Sequence, residues 1–276
     1  MDNEEGAVRP VSRRTALQAV GTAAAVAGGT ALLSACGAAS TPTNTSSTGG
    51  GKSKTAASAG GISVKAATAS AVWYTVKGTQ VAIWDRGNDC WGTADTCTFL
   101  NQKTSGKGTW TVQVVNLDTT NSWAKAGIMA RSSLDPTSAD VFLAVTVANG
   151  VVLQNRDATG DNEGSGPGGD NYSLESNANG GMAPMWLKLT NDGSGNWTGW
   201  NSTDGKSWQN QTPSQANPVS LGSSYLVGLA ATAHDNTQHG VATFANPSGF
   251  SGAYSADLVG TNDTLAPPTK GPVPGA

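Results

Sequence analysis

The chain of 276 residues carries 16 Lys and Arg against 19 Asp and Glu, a net charge of −3, and charged residues make up only 13% of it. Beyond residue 35 it has no run of Lys or Arg and no basic stretch interleaved with aromatics, which excludes the electrostatic footprint of a nucleic-acid binder. Its polarity comes from neutral Gly, Ser, Thr and Asn, a balance shared with many secreted sugar-binding proteins.

Residues 1–35 read as an export signal. Ser12-Arg13-Arg14 supplies a positive n-region, and the run from Thr15 to Leu32 is too rich in Ala and Gly for a membrane span, so it reads as a signal h-region. Ser-Arg-Arg-x-x-Leu resembles the twin-arginine export signal, although Ala16 and Gln18 stand where such signals often carry Phe and Lys, which leaves the export route open. Leu33-Ser34-Ala35-Cys36 resembles the bacterial lipobox. The resemblance implies cleavage before Cys36, lipidation of that cysteine, and anchoring on the extracytoplasmic side of a bacterial membrane, stable because such a cysteine carries two or three acyl chains. An uncleaved N-terminal anchor helix would hold the chain at the same membrane.

Residues 36–68 are dominated by Ser, Thr, Gly, Ala and Lys and cannot bury a core, which predicts a flexible tether. Some thirty residues of such a coil reach about 30 Å on average. Residues 256–276 are Pro-rich and read as a disordered tail.

Between them, residues 69–255 hold all nine tryptophans in short β-rich runs that include Trp110-Thr-Val-Gln-Val-Val, Val141-Phe-Leu-Ala-Val-Thr-Val and Trp186-Leu-Lys-Leu-Thr. Gly, Asn, Asp and Pro turns separate the runs, and Asn149-Gly150 is a strong hairpin signal. Regular short strands without helices predict an all-β, two-sheet antiparallel sandwich. Cys90 and Cys97 are expected to form a disulfide in an oxidising compartment, worth less than the roughly 3 kcal/mol of a 15-residue loop, with two free buried thiols as the alternative.

Five segments in order carry a resemblance: Asp89-Cys-Trp-Gly-Thr-Ala-Asp95-Thr-Cys-Thr-Phe99, Trp123-Ala-Lys-Ala-Gly-Ile-Met-Ala-Arg131, Asn149-Gly-Val-Val-Leu-Gln-Asn-Arg156, Ala183-Pro-Met-Trp-Leu-Lys-Leu189 and Ser202-Thr-Asp-Gly-Lys-Ser-Trp208. Over about residues 72–250 the chain resembles the concanavalin A-like lectin/glucanase superfamily, in its DUF1349-type form. That resemblance implies a jelly-roll sandwich, in a superfamily of lectins, glycan-binding modules, glycosidases and lyases, so the fold alone does not assign a function. Cys90 and Cys97 stand where the family carries apolar core residues, and Asp157 to Gly181 is a longer Gly-rich insertion than usual.

Laminarinase-like members of the superfamily carry Glu-x-Asp-x-x-Glu on one strand, and nothing here matches it. After Cys36 the only glutamates are Glu163 and Glu175, so no catalytic residue is expected. Ser202-Thr-Asp204-Gly205-Lys-Ser-Trp208 resembles a single sialidase Asp-box and reads as a tight turn with Trp208 packed beside it. His234-Asp235 with His239 is expected to be a solvated histidine with a capping aspartate rather than a metal site. Asp157, Asp161, Glu163 and Asp170 are oxygen donors that Ca²⁺ could use, but they fit no EF-hand spacing, so a solvated acidic loop without cofactor is expected. Trp84, Trp91, Trp110 and Trp200 are expected to pack in the core or at its rim.

Strand alternation groups a further set. If their strands are neighbours, one sheet face presents Arg131, Gln154, Arg156, Lys188 and His234 with Trp186 for stacking, a composition that suits a carbohydrate or cell-wall glycan. The alternative is an ordinary polar outer face with its Lys and Arg solvated.

Overall fold

The computed structural model describes residues 62–64, 72–163, 172–174, 182–212 and 218–260. The segments expected to be an export signal and most of the expected tether, with Cys36, Asp170, Glu175 and residues 261–276, lie outside the described residues.

The strands, in chain order, are β1 (Tyr74–Lys77), β2 (Gln80–Asp85), β3 (Cys90–Trp91), β4 (Ala94–Asp95), β5 (Cys97–Thr104), β6 (Gly108–Leu117), β7 (Lys125–Arg131), β8 (Asp140–Thr146), β9 (Val151–Arg156), β10 (Tyr172–Leu174), β11 (Met185–Asn191), β12 (Trp197–Ser202), β13 (Gln209–Asn210), β14 (Tyr225–Thr232), β15 (Gly240–Ser248) and β16 (Ser255–Val259). They form two antiparallel sheets of seven, ordered β1-β2-β15-β6-β11-β12-β13 and β10-β9-β8-β7-β14-β5-β16, with β3 and β4 as a separate hairpin. The expected two-sheet antiparallel sandwich is the architecture found. The last strand runs past the boundary set at residue 255, because Ala256 and Val259 are buried against β5.

The first sheet follows the period-two rule. In β6, Trp110, Val112 and Val114 are buried and alternate with half-exposed residues, and β11 does the same with Met185, Leu187 and Leu189. These side chains meet Ile128, Leu143, Leu153 and Leu229 of the second sheet in one core. Trp110 stacks on Trp197 with centroids 6.1 Å apart, and Tyr225 sets its edge against both. Contact is close enough that a Cβ on Gly199 would lie 2.9 Å from Leu143 Cδ1.

The second sheet breaks that alternation. Every residue of β7 and β8 is buried, the pattern of strands covered on both faces. The outer cover is a second apolar cluster of Cys90, Cys97, Phe99, Met129, Phe142, Ala144, Val152, Ala230 and Val259, over which the β3–β4 hairpin folds. Cys90 and Cys97 lie in this cluster as free thiols, which corrects the expected disulfide. Burial pushes the Cys90 thiol well up and its contact with Cys97 adds to the rise, so both behave as small hydrophobes.

Candidate functional site

Two polar clusters lie on the outer side of the second sheet, and the residues predicted to form one sugar-binding face are divided by them. Arg131, Asp140 and Arg156 are opposite one another across β7, β8 and β9, a plus-minus-plus row set by the register. Above the row, Asp95 of β4 accepts from Arg131 Nη1 at 2.9 Å, from Arg156 Nη1 at 2.9 Å and from Arg156 Nη2 at 2.8 Å. Asp140 Oδ2 lies 3.5 Å from Arg131 and 3.3 Å from Arg156, and Glu163 Oε1 lies 3.6 Å from Arg156. Gln154 donates to Glu163 and to the Cys90 carbonyl, which straps the 157–163 segment onto the hairpin.

Arg131, Gln154 and Arg156 are therefore buried and engaged inside the protein, and they do not present an open polar face. Strand parity places them on the outer side correctly; the hairpin laid over that side is what removes them from solvent.

Oxygens of Asp95, Asp140 and Glu163 lie within 4.8 Å of one another, a spacing that would suit a metal ion. The two guanidinium groups already occupy that role. Burial works against the charge on Asp95, but hydrogen bonds from Arg156 and Asp140 and the charges of both arginines hold its carboxyl below the usual range. Burial, then the charge of Asp95, pushes Asp140 and Glu163 well above it. Asp95 is thus the member of the trio whose charge the two guanidinium groups stabilise.

Toward the start of β7 the second cluster reaches solvent. Lys125 begins β7 beside Thr146 and Thr232, Asp89 immediately precedes β3, and His234 follows β14 by two residues. Lys125 Nζ lies 2.5 Å from Asp89 Oδ1, and His234 Nε2 lies 3.0 Å from Asp89 Oδ2. The Lys125 ammonium is buried, while Asp89 and His234 are partly exposed. Burial alone would raise the Asp89 carboxyl, but the His234 hydrogen bond and the Lys125 charge hold it below its ordinary value.

The two most exposed described tryptophans flank this group: Trp91 is 43% exposed and Trp123 39%, with ring centroids 6.0 and 5.9 Å from Lys125 Nζ. Those distances sit at the outer limit of a cation–π contact. Both rings therefore present indole surface to solvent on either side of the lysine that holds Asp89.

The backbone around the site is tightly held. Thr96 accepts from the Asn88 and Asp89 amides at 2.7 and 3.0 Å and fixes the entry to β3. Gly87 has φ 106°, and a Cβ there would lie 2.1 Å from the Thr96 carbonyl oxygen, so only glycine fits. Its carbonyl accepts from Thr232 Oγ1 at 3.1 Å and from the Asp235 amide at 3.3 Å. His234 itself has φ 53°, a left-handed conformation that costs a non-glycine residue about 1–2 kcal/mol. A strained residue kept against a partly exposed carboxylate is the kind of feature that clusters at functional sites. Asp235 caps its own loop, as expected, by accepting from the Thr237 amide at 2.7 Å.

Trp186 and Lys188 lie on the other sheet, which separates them from the remaining predicted residues. On the outer face of β11 and β12, Lys188 Nζ lies 4.7 Å from the Trp200 ring centroid and 4.3 Å from that of Trp208. Gly205 turns over Trp186, and Asp204 accepts from the Lys206 and Ser207 amides at 2.8 and 2.7 Å, the tight turn expected of this motif.

Of the six predicted residues, only His234 sits in the solvent-reaching cluster. Asp89, Lys125 and Trp123 were quoted in the sequence motifs without being assigned to a site, and Trp91, expected to pack in the core or at its rim, is instead among the exposed side chains. The available signal was two tryptophans, each two residues from a residue of opposite charge, in segments that flank strands.

No family model matches the chain, and no curated protein matches it. Among solved structures it is similar to a functionally unknown protein from Saccharomyces cerevisiae, at 19% identity and a TM-score of 0.47 over 70% of this chain and 98% of that one. It is also similar to a xylan β-1,4-xylosidase from Bacillus halodurans C-125, at 15% identity and a TM-score of 0.35, where the match covers 63% of this chain and 34% of that one. A third similarity is to the exoplasmic/lumenal domain of VIP36 in its Ca²⁺/Man3GlcNAc-bound form, at 10% identity and a TM-score of 0.22 over 67% and 84% of the two chains. At these values the likenesses carry no argument about function, which rests on the site itself.

Proposed function

We propose that this chain is a non-catalytic carbohydrate-binding β-sandwich of the concanavalin A-like kind, held on the extracytoplasmic side of a bacterial membrane through a lipidated Cys36. The observation that supports the sugar reading most is the pair of exposed indoles, Trp91 and Trp123, set around the Asp89–His234 pair. A pyranose offers C–H faces that stack on indole, and hydroxyls that donate to a carboxylate and exchange hydrogen bonds with imidazole. Asp89, already held by Lys125 and His234, is a fixed acceptor that loses little freedom on binding.

The carboxyls that hydrolysis would need argue for binding over cleavage. Asp95, Asp140 and Glu163 are buried beneath the hairpin and bound to arginine, and Asp89 has a histidine and a lysine as its partners. None is paired across an open groove with a second carboxylate.

The test is a glycan array and polysaccharide-retention assay on the purified full chain, with product analysis on any retained polymer. The reading expects retention with no new reducing ends. Cleavage products would replace it with a hydrolase or lyase reading, and absence of retention by folded protein would replace it with a protein-binding envelope role.

A further inference from the structure

The two indoles of the solvent-reaching cluster stand on separate supports. Trp91 belongs to the β3–β4 hairpin, where the carbonyl before it, of Cys90, accepts from Gln154 Nε2. The carbonyl after it, of Gly92, accepts from Arg156 Nη2 at 3.1 Å and from the Glu163 amide at 2.9 Å. Trp123 belongs to the turn before β7, where its amide donates to Asn121 Oδ1 at 2.9 Å. The neighbouring Ser122 carbonyl accepts from the Ala148 amide at 3.1 Å and from Asn149 Nδ2 at 2.9 Å. Each ring is thus fixed at its backbone from its own side, Trp91 by the closed arginine cluster and Trp123 by the turn between β8 and β9.

The ring centroids lie 6.0 and 5.9 Å from the Lys125 ammonium, so the rings are no farther apart than twice that distance. Among the described residues neither ring touches another aromatic ring. A slot between them would open onto the ammonium, yet the Lys125 side chain is only 3% exposed. The rings are therefore two neighbouring platforms over one closed floor, and not the jaws of a clamp. Asp89 Oδ1 lies 2.5 Å from that same ammonium, so one carboxylate adjoins both platforms.

We propose that this site takes a run of two or more linked pyranoses, stacked across both indoles, and not a single sugar unit. The inference rests on the carbohydrate reading above and narrows its ligand to an oligosaccharide or polysaccharide chain. Each stacked pyranose turns one C–H face to one indole, so two platforms on a closed floor call for two units. Linking the units makes the second stacking event intramolecular, which raises affinity by about 10²–10⁴ without a further contact. Because both rings are already held, little of that gain is lost to ordering them.

The experiment is competition against retention of the full chain on the polysaccharide that holds it best, with size-fractionated fragments of that polysaccharide from the monosaccharide to the hexasaccharide. The longer fragments should reach half-inhibition at a concentration about a hundredfold or more below that of the monosaccharide. Trp91→Ala and Trp123→Ala, made singly, should each cut that advantage to less than about tenfold with little change in Tm, because one platform remains and both side chains are exposed. A monosaccharide as potent as the longer fragments would overturn the inference and leave the sugar reading standing. A length advantage that survives either substitution would do the same. No retention of the folded chain on any polysaccharide would overturn both.

Discussion

The same face of the same sheet carries two ionic clusters, and they have been finished differently. Lys125 and Arg131 are the two ends of β7 and point to one side, about 20 Å apart at the strand rise. Around Arg131 the hairpin and the 157–163 segment close over the charges, and Asp95 accepts hydrogen bonds from both arginines. Around Lys125 the cover stops short, leaving Asp89 and His234 partly open between two exposed indoles. Identical chemistry can therefore complete a fold at one end of a strand and offer a ligand site at the other. What differs is how far the rest of the protein covers the charges.

The largest effect should come from breaking the closed cluster. Asp95→Asn leaves two buried guanidinium groups with one fewer carboxylate and should cost about 3–5 kcal/mol, read from urea unfolding. In the open cluster the corresponding substitution should be far milder for stability. His234→Gly relieves the left-handed strain at φ 53° and should raise stability by about 1 kcal/mol while reducing glycan retention about tenfold or more. A loss of stability instead would mean that the His234–Asp89 contact is chiefly structural.

The pH dependences contributed by Asp140 and Asp89 should run in opposite senses. Asp140 has a folded pKa raised well above its unfolded value, so its contribution is fully present below about pH 4 and is lost as pH rises through the folded value. Asp140→Asn mimics the neutral acid and should flatten the decline of stability on the alkaline side. Asp89 has a lowered folded pKa, so its contribution is present above about pH 4 and is lost as pH falls through the folded value. Asp89→Asn should flatten the acid limb, as acid unfolding of the two variants would show. Smallest of all, the unfolding midpoint should not move on adding reductant, because Cys90 and Cys97 are already free thiols.

Much of the sandwich was legible in the sequence because a half-buried strand writes its burial into alternate residues, as Trp110, Val112 and Val114 do. The Asn149-Gly150 and Asp204-Gly205 turns were equally plain, since their chemistry is local. The site was much less so. Parity correctly put Arg131, Gln154 and Arg156 on one face, but whether a face is solvated depends on what folds over it, and the β3–β4 hairpin is only two residues per strand. Grouping Lys188 and Trp186 with them required a strand order that pattern alone does not encode. The cysteine expectation failed for a similar reason: spacing brought the thiols near each other, while the apolar cluster around them decided their state.

The most direct test of the sugar-binding rim compares two double variants of the full chain on whichever glycan retains it. Trp91→Ala with Trp123→Ala removes the indoles beside Asp89, and Trp186→Ala with Trp200→Ala removes those beside Lys188. The account predicts that the first pair loses retention with little change in Tm, while the second retains the glycan. Retention that survives the first pair and disappears with the second would contradict it and move the site to the opposite sheet.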